Sequence, residues 1–201
     1  MTWLVLGLVL FLGTHSARIV AEDERKRLIA RLGQGAWKGI YSLLSLAGLV
    51  LMVQGYGEVR ASPWVLWPVT TGARHAASLL TLVAFILLAA AYVPRNRIKL
   101  RLRHPMVLAV KTWALAHLLA NGTLADLLLF GGFLVWAAFS FRAARARDRL
   151  LESTPTDSAV ERGGSRSPLI PDLVTVAAGV LAWWVFAFYL HARWIGVSPL
   201  G

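Results

Sequence analysis

The chain of 201 residues is 57% hydrophobic and only 15% charged, and its mean hydropathy is +0.61. This composition excludes an ordinary soluble globule, because apolar runs of about 15–20 residues recur along the chain and match a hydrocarbon layer ~30 Å thick. The formal net charge of +11 comes from the connections between these runs, where membrane orientation and anionic lipid explain it better than nucleic acid does. We therefore expect an all-α, polytopic bundle in a lipid bilayer, with no nucleic-acid partner.

The first half of the chain contains three predicted spans. Residues 3–19 form the first, because no Lys or Arg precedes this apolar run as it would in a secretory signal. In residues 22–38, Leu and Ile recur at helical spacing among basic residues, which predicts an amphipathic helix on the membrane surface. Residues 39–56 form the second predicted span, and residues 75–93 form the third after a connection that contains two prolines.

Three more spans are predicted in the second half. Residues 106–120 and 124–141 form the fourth and fifth, and Asn121-Gly122 between them predicts a tight hairpin. From residue 142 the composition becomes polar. We expect a flexible cytoplasmic linker at residues 150–168, because this stretch has too little apolar surface to pack.

The predicted organisation has two membrane parts joined by that linker. Residues 1–149 form one membrane domain, and residues 169–201 carry the sixth span, from about residue 171 to 190, with a short polar tail.

The basic residues test the count of six spans. Residues 18–38 hold six of them, residues 95–103 hold five, and residues 142–166 hold six. Six spans place these three stretches on one face of the membrane. The positive-inside rule then predicts cytoplasmic basic loops and periplasmic termini in a bacterial inner membrane.

Histidines within or beside the spans are the first candidates for function, because polar groups in a bilayer are costly. His104 and His117 lie 13 residues apart in the fourth span, about 20 Å along one axis, so they cannot bind one iron together. Each has a partner predicted at similar depth: His75 for His117, and His15 for His104. A histidine at a helix end can also lie in the headgroup region or donate to a carbonyl, and this interpretation is favoured for His191 and His104.

The chemistry that these imidazoles favour is haem b. Cysteine is absent, which excludes thiolate ligands and covalently attached c-type haem. A mononuclear zinc or iron site is less favoured, because carboxylates within the spans are almost limited to Asp126. Trp113 and Ala114 share the helix face of His117 and could wall a planar cofactor. Lys111 is predicted to pair with Asp126, although it could instead reach the interface or a haem propionate.

Several blocks of the sequence resemble the NnrU family over about residues 3–149. The most specific is the block Lys111-Thr112-Trp113-Ala114-Leu115-Ala116-His117-Leu118-Leu119-Ala120-Asn121-Gly122. The others are Gly13-Thr14-His15-Ser16, Trp37-Lys38-Gly39, Gly55-Tyr56-Gly57, Ala73-Arg74-His75, Ala90-Ala91-Tyr92-Val93-Pro94 and Arg103-His104-Pro105-Met106.

The resemblance implies a haem site, because the NnrU family is similar to 15-cis-zeta-carotene isomerase, a membrane protein that uses haem b. In that isomerase the haem ligands are assigned to the positions that match His15 and His117. A cysteine proposed to exchange with one ligand is replaced here by Ala114. Because His15 and His117 are predicted at different depths, the partner of His117 remains open between His15 and His75.

Three functions are expected on these grounds. The first is an integral membrane haem b protein of the NnrU type in redox or nitrite and nitric oxide metabolism, since the resemblance implies a link to denitrification. The second is a haem-dependent isomerase of a carotenoid-like polyene. The third is a non-enzymatic assembly subunit of a nitric oxide reductase or another respiratory complex.

Overall fold

The computed structural model describes residues 1–153 and 169–199, and no β-strand occurs in these two ranges. The predicted all-α membrane fold is confirmed. The helices are α1 (Thr2–Val20), α2 (Glu22–Arg60), α3 (Thr71–Tyr92), α4 (Arg97–Leu102), α5 (Pro105–Ala120), α6 (Leu124–Ser153), α7 (Leu169–Val185) and α8 (His191–Ile195), with a π-helical turn at Phe186–Leu190 between the last two.

Five helices of the described ranges are long and apolar enough to cross a membrane: α1, α2, α3, α6 and the continuous segment Leu169–Ile195. The fourth predicted span, α5, is apolar but has only 16 residues. At 1.5 Å per residue it covers about 24 Å, less than a hydrocarbon layer of ~30 Å. A count of six spans is therefore not confirmed.

The second helix differs from its prediction in length. It extends from Glu22 to Arg60 in two parts, which are separated at Gly33. This residue has φ 82° and ψ 159°, a non-helical conformation that glycine adopts readily. The break falls inside the predicted amphipathic part, residues 22–38. Bonds from Arg25 to Glu22 and from Arg27 to Glu24 stabilise the portion before Gly33 at i, i+3 spacing. The second part begins directly after Gly33, not at residue 39, because nothing in residues 34–38 breaks the helix.

Two further boundaries also differ. The third helix begins at Thr71, four residues before the predicted start, because Oγ1 of Thr70 accepts a 3.2 Å bond from the N–H of Ala73 and caps it. The sixth helix continues to Ser153, so residues 150–153 of the predicted linker are helical. The rest of the predicted linker, residues 154–168, lies outside the described residues.

Close packing between α1 and α2 depends on glycine. A Cβ at Gly7 would lie 2.5 Å from the backbone nitrogen of Met52, and one at Gly48 would lie 2.8 Å from that of Phe11. At Gly55 the backbone of Leu4 occupies the same space. These small residues let the two backbones approach, as is common between membrane helices.

One end of the bundle, which we call the basic end, carries α4 and the residues beside it. The buried side chain of Asn96 closes the connection from α3, donating to the carbonyls of Ala90 and Val93 and accepting from the N–H of Lys99. The carboxylate of Asp172 at the start of α7 accepts a 2.6 Å bond from the N–H of Arg97. These bonds join α4 to both α3 and α7.

A second group of charges at the basic end joins the start of α5 to the far part of α6. Arg103 pairs with Glu152 at 2.5 Å, and Nε2 of His104 lies 2.9 Å from a carboxylate oxygen of Asp148. The bond to Glu152 raises the pKa of the Arg103 guanidinium above its ordinary value. These contacts explain why α6 extends beyond the apolar residues of its span.

The opposite end, which we call the turn end, carries the predicted turn between α5 and α6. The carbonyl of Gly122 accepts a 2.7 Å bond from the N–H of Leu66, and the N–H of Leu124 donates to Trp64 at 2.9 Å. A Cβ at Gly122 would overlap the carbonyl of Trp67. The turn is thereby fixed against the connection between α2 and α3.

The predicted pair of Lys111 and Asp126 is wrong. Asp126 is buried, accepts a hydrogen bond from the hydroxyl of Tyr56 and caps the start of α6 through Thr123. Lys111 is exposed, and no ion pair within 4 Å joins it to an acidic group in the part of the chain that the structure describes. The Asp126 carboxylate is satisfied by nearer donors, so it does not need the lysine.

Candidate functional site

A cavity of about 380 Å³ lies among α3, α5, α6, the end of α7 and the segment that follows α7. Its volume is in the range of sites for small molecules. Most of its wall is apolar, and five of its side chains are aromatic: Phe85, Trp113, Phe133, Trp183 and Phe186. Two imidazoles are the main polar groups that face it, those of His117 and His191.

His117 is held in a fixed orientation. Its Nδ1 lies 2.9 Å from the carbonyl oxygen of Trp113, so this nitrogen donates the proton and Nε2 keeps its lone pair. The imidazole lies between the rings of Trp113 and Phe130, at centroid distances of 4.9 and 4.6 Å. Asn121 donates a 2.8 Å bond to the carbonyl of His117. Such an oriented imidazole can accept a proton or bind a metal through Nε2.

His191 is the second imidazole on the wall of the cavity. Its Nδ1 donates to the carbonyl of Val197 at 2.7 Å, so its Nε2 also keeps a lone pair. Gly196 allows the chain to turn back with φ 84°, and Pro199 reaches the wall of the cavity. Arg60 holds this tail from outside through a 2.8 Å bond to the carbonyl of Ile195.

The sequence places His191 in the polar tail and does not predict its role in the cavity. One signal points to it, because Trp183, Ala187 and His191 recur at i, i+4 and i+8 and so lie on one helix face. All three line the cavity.

His15 lies in a different aromatic cluster. Its Nδ1 donates to the carbonyl of Phe11 at 2.8 Å, and its ring stacks on Phe11 at 4.2 Å, with Tyr41 at 5.2 Å and Trp136 at 6.1 Å. It is not part of the cavity wall. The indole Nε1 of Trp136 is buried and has no hydrogen-bond partner within the described residues.

The structure does not bring His15 and His117 together. The rings between them are those of Phe11, Phe133 and Trp113, each about 5–6 Å from the next. Each imidazole has an aromatic neighbour on α6. The ring of His15 lies 6.1 Å from that of Trp136, and the ring of His117 lies 4.6 Å from that of Phe130. These two neighbours are six residues apart, about 9 Å along the helix axis.

The other predicted site residues lie elsewhere. His75 is exposed in α3, and His104 bonds Asp148 at the basic end and is not part of the cavity wall. Lys111 is exposed and Ala114 is completely buried, and neither is part of the cavity wall. Of the predicted set, the cavity therefore collects His117 and Trp113.

The donors at the cavity do not form a site for a bare metal ion. Within residues 1–153 and 169–199, no group of three or more His, Cys, Asp or Glu side chains could hold one. The cavity instead contains two imidazoles, those of His117 and His191, in apolar surroundings. Such a set suits a ligand that brings most of its own coordination, as a porphyrin does.

The family assignment rests on a match to the description "NnrU protein" over residues 3–199. The chain belongs to the NnrU family. The NnrU match extends beyond the motifs at residues 3–149 and includes α7 and His191. Comparison with curated proteins and with solved structures gave no match.

Proposed function

We propose that this NnrU protein binds haem b through His117 and acts in the redox or nitrite and nitric oxide metabolism of a bacterial inner membrane. The observation that carries the proposal is the position of His117 on the wall of an apolar cavity, with Nδ1 tied to the carbonyl of Trp113. This bond leaves Nε2 available as a ligand. Because polar side chains are energetically costly inside a membrane, the presence of this imidazole in the bundle favours a functional role over a structural one.

The residues of the cavity fit the group that the family implies. Haem b needs no thioether link, which agrees with a chain without cysteine. Planar aromatic side chains such as Trp113, Phe133 and Trp183 offer large faces for a macrocycle. Trp183 is itself fixed, because its Nε1 donates to Oγ1 of Thr81 at 3.2 Å.

Each part of the site would have its own role. Bound haem would supply one-electron redox chemistry. His117 would hold the group, and the carbonyl of Trp113 would keep the tautomer that makes Nε2 the ligand. The largely apolar wall would lower the local dielectric constant around the site.

The proposed orientation places this cavity toward the periplasmic face. We count α5 as a sixth crossing, because it begins beside Asp148 at the basic end and ends at Gly122 of the turn end. With six crossings the basic end is cytoplasmic and both termini are periplasmic. A nitric oxide reductase or another respiratory complex is the partner we propose for such a protein.

The test is a measurement of bound haem after expression with ample haem supply and purification in mild detergent. We expect haem b in a pyridine haemochrome spectrum of the unaltered protein. His117→Ala should lower the haem content at least about tenfold, because loss of even a hydrogen-bond partner of a metal ligand typically costs about 10–100-fold in affinity.

His75→Ala is the matched control, because His75 is an exposed histidine near the same end of the bundle. This variant should keep its haem. Protein without haem, or equal haem content in His117→Ala, would overturn the proposal. Loss of haem in His75→Ala alone would move the site to that residue.

A further inference from the structure

We propose that His191 is the second protein ligand of the cavity and binds the haem iron together with His117. This inference rests on the proposed function, and it adds a residue from the C-terminal segment to the site. It replaces both of the partners that the sequence suggests for His117, which are His15 and His75.

The two imidazoles line one cavity and make the same kind of hydrogen bond. Each ring gives its Nδ1 proton to a backbone carbonyl, of Trp113 for His117 and of Val197 for His191. Each therefore keeps Nε2 for a ligand, and both side chains line the same cavity. Hydrogen bonding of the outer nitrogen is the usual support of a metal-binding histidine.

The other histidines either bind another side chain or lie away from the cavity. Nε2 of His104 faces the carboxylate of Asp148 at the basic end. His75 is exposed, and His15 is separated from His117 by three aromatic rings. In the part of the chain that the structure describes, His191 is the histidine that lines the cavity with His117.

The backbone that carries His191 is also unusual. The N–H of His191 bonds the carbonyl of Phe186, five residues earlier, and this bond closes the π-helical turn. Such turns are rare and are frequent at functional sites, because the extra residue rotates the next part of the helix onto a new face. Here the turn lies between Trp183 and His191, and both side chains reach the cavity.

The tail of the chain is fixed around this imidazole. Gly196 adopts a left-handed conformation that returns the chain so that Val197 accepts from His191. The guanidinium of Arg60 donates a hydrogen bond to the carbonyl of Ile195, and Pro199 lines the cavity. A simple surface histidine needs none of these supports.

The experiment compares the spin state of the ferric protein in wild type, His191→Asn and His75→Asn, by visible absorption and low-temperature EPR. Asparagine can still donate to the carbonyl of Val197 but lacks a nitrogen at the position of Nε2. We expect a low-spin, bis-imidazole spectrum in wild type and in His75→Asn. His191→Asn should keep its haem and become high-spin, and added imidazole should restore the low-spin form.

The outcomes separate the two proposals. A low-spin spectrum that persists in His191→Asn, or a high-spin wild type, overturns the role of His191 while the haem protein stands. A wild type without haem overturns both. If His191→Asn is poorly folded, His191→Met in the same spectra decides, because a thioether ligand gives a low-spin spectrum distinct from that of two imidazoles.

Discussion

Tyr56 and Asp126 are joined by a 2.5 Å hydrogen bond that links α2 to the first turn of α6. The second carboxylate oxygen of Asp126 accepts from the N–H and the hydroxyl of Thr123, at 3.0 and 2.6 Å, and the N–H of Asp126 donates back to that hydroxyl. This reciprocal arrangement is a capping box. An almost completely buried carboxylate is thereby satisfied within an apolar bundle.

We predict that Tyr56→Phe lowers the free energy of unfolding by about 1.5–3 kcal/mol, because it removes the shortest hydrogen bond to the buried Asp126 carboxylate. The measurement is SDS-induced unfolding in detergent, followed by tryptophan fluorescence. Tyr41→Phe is the control, since the hydroxyl of Tyr41 has no hydrogen bond within the described residues. Equal effects of the two substitutions would show that the bond to Asp126 adds nothing.

Gly55→Ala is predicted to separate α1 from α2, because the backbone of Leu4 occupies the place of the new Cβ. The expected loss is about 1–3 kcal/mol, as for other overpacked cores. Gly57→Ala on the same helix meets no atom within 4 Å and should be neutral or stabilising by up to ~1 kcal/mol. The same SDS titration compares them, and a neutral Gly55→Ala contradicts the packing described here.

Local chemistry was enough to predict several helix ends. The fourth predicted span, residues 106–120, differs from α5 by one residue, because Pro105 starts the helix and Asn121-Gly122 ends it. Contacts between distant residues decide the other ends. The sixth helix reaches Ser153 because Asp148 and Glu152 bind the start of α5, which no local pattern reveals.

In the candidate site, only the contacts between residues close in sequence could likewise be predicted. Helical spacing places Trp113 beside His117, and their rings lie 4.9 Å apart. The position of His191 depends on a π-helical turn and on the packing of α7 against α3, where a Cβ at Gly179 would lie 2.6 Å from Cα of Ile86. Such close approach of two backbones cannot be read from either helix alone.

His104→Ala is predicted to leave haem content unchanged, although the sequence pairs His104 with His15 at similar depth. Its Nε2 is bound to Asp148, so the imidazole ties α5 to α6 at the basic end. We expect a loss of about 0.5–1.5 kcal/mol in SDS unfolding, the usual net value of one hydrogen bond. A pyridine haemochrome assay that finds less haem in this variant would reassign His104 to a cofactor site.

Single cysteines can test the number and direction of the crossings, because the natural chain contains none. Ser62→Cys lies in the connection after α2, Leu100→Cys in α4 and Ser153→Cys at the end of α6, and all three positions are exposed. A membrane-impermeant maleimide should label Ser62→Cys in intact spheroplasts. The other two should react only after permeabilisation, because six crossings place both at a cytoplasmic basic end.

Each other pattern of labelling has a definite meaning. If Ser153→Cys reacts in intact spheroplasts while Leu100→Cys does not, α5 fails to cross and the chain has five spans. If Leu100→Cys and Ser153→Cys react and Ser62→Cys is protected, the bundle is inverted and the cavity of His117 lies toward the cytoplasm. Labelling of all three after detergent treatment is the control for thiol reactivity, since a buried thiol would not react even then.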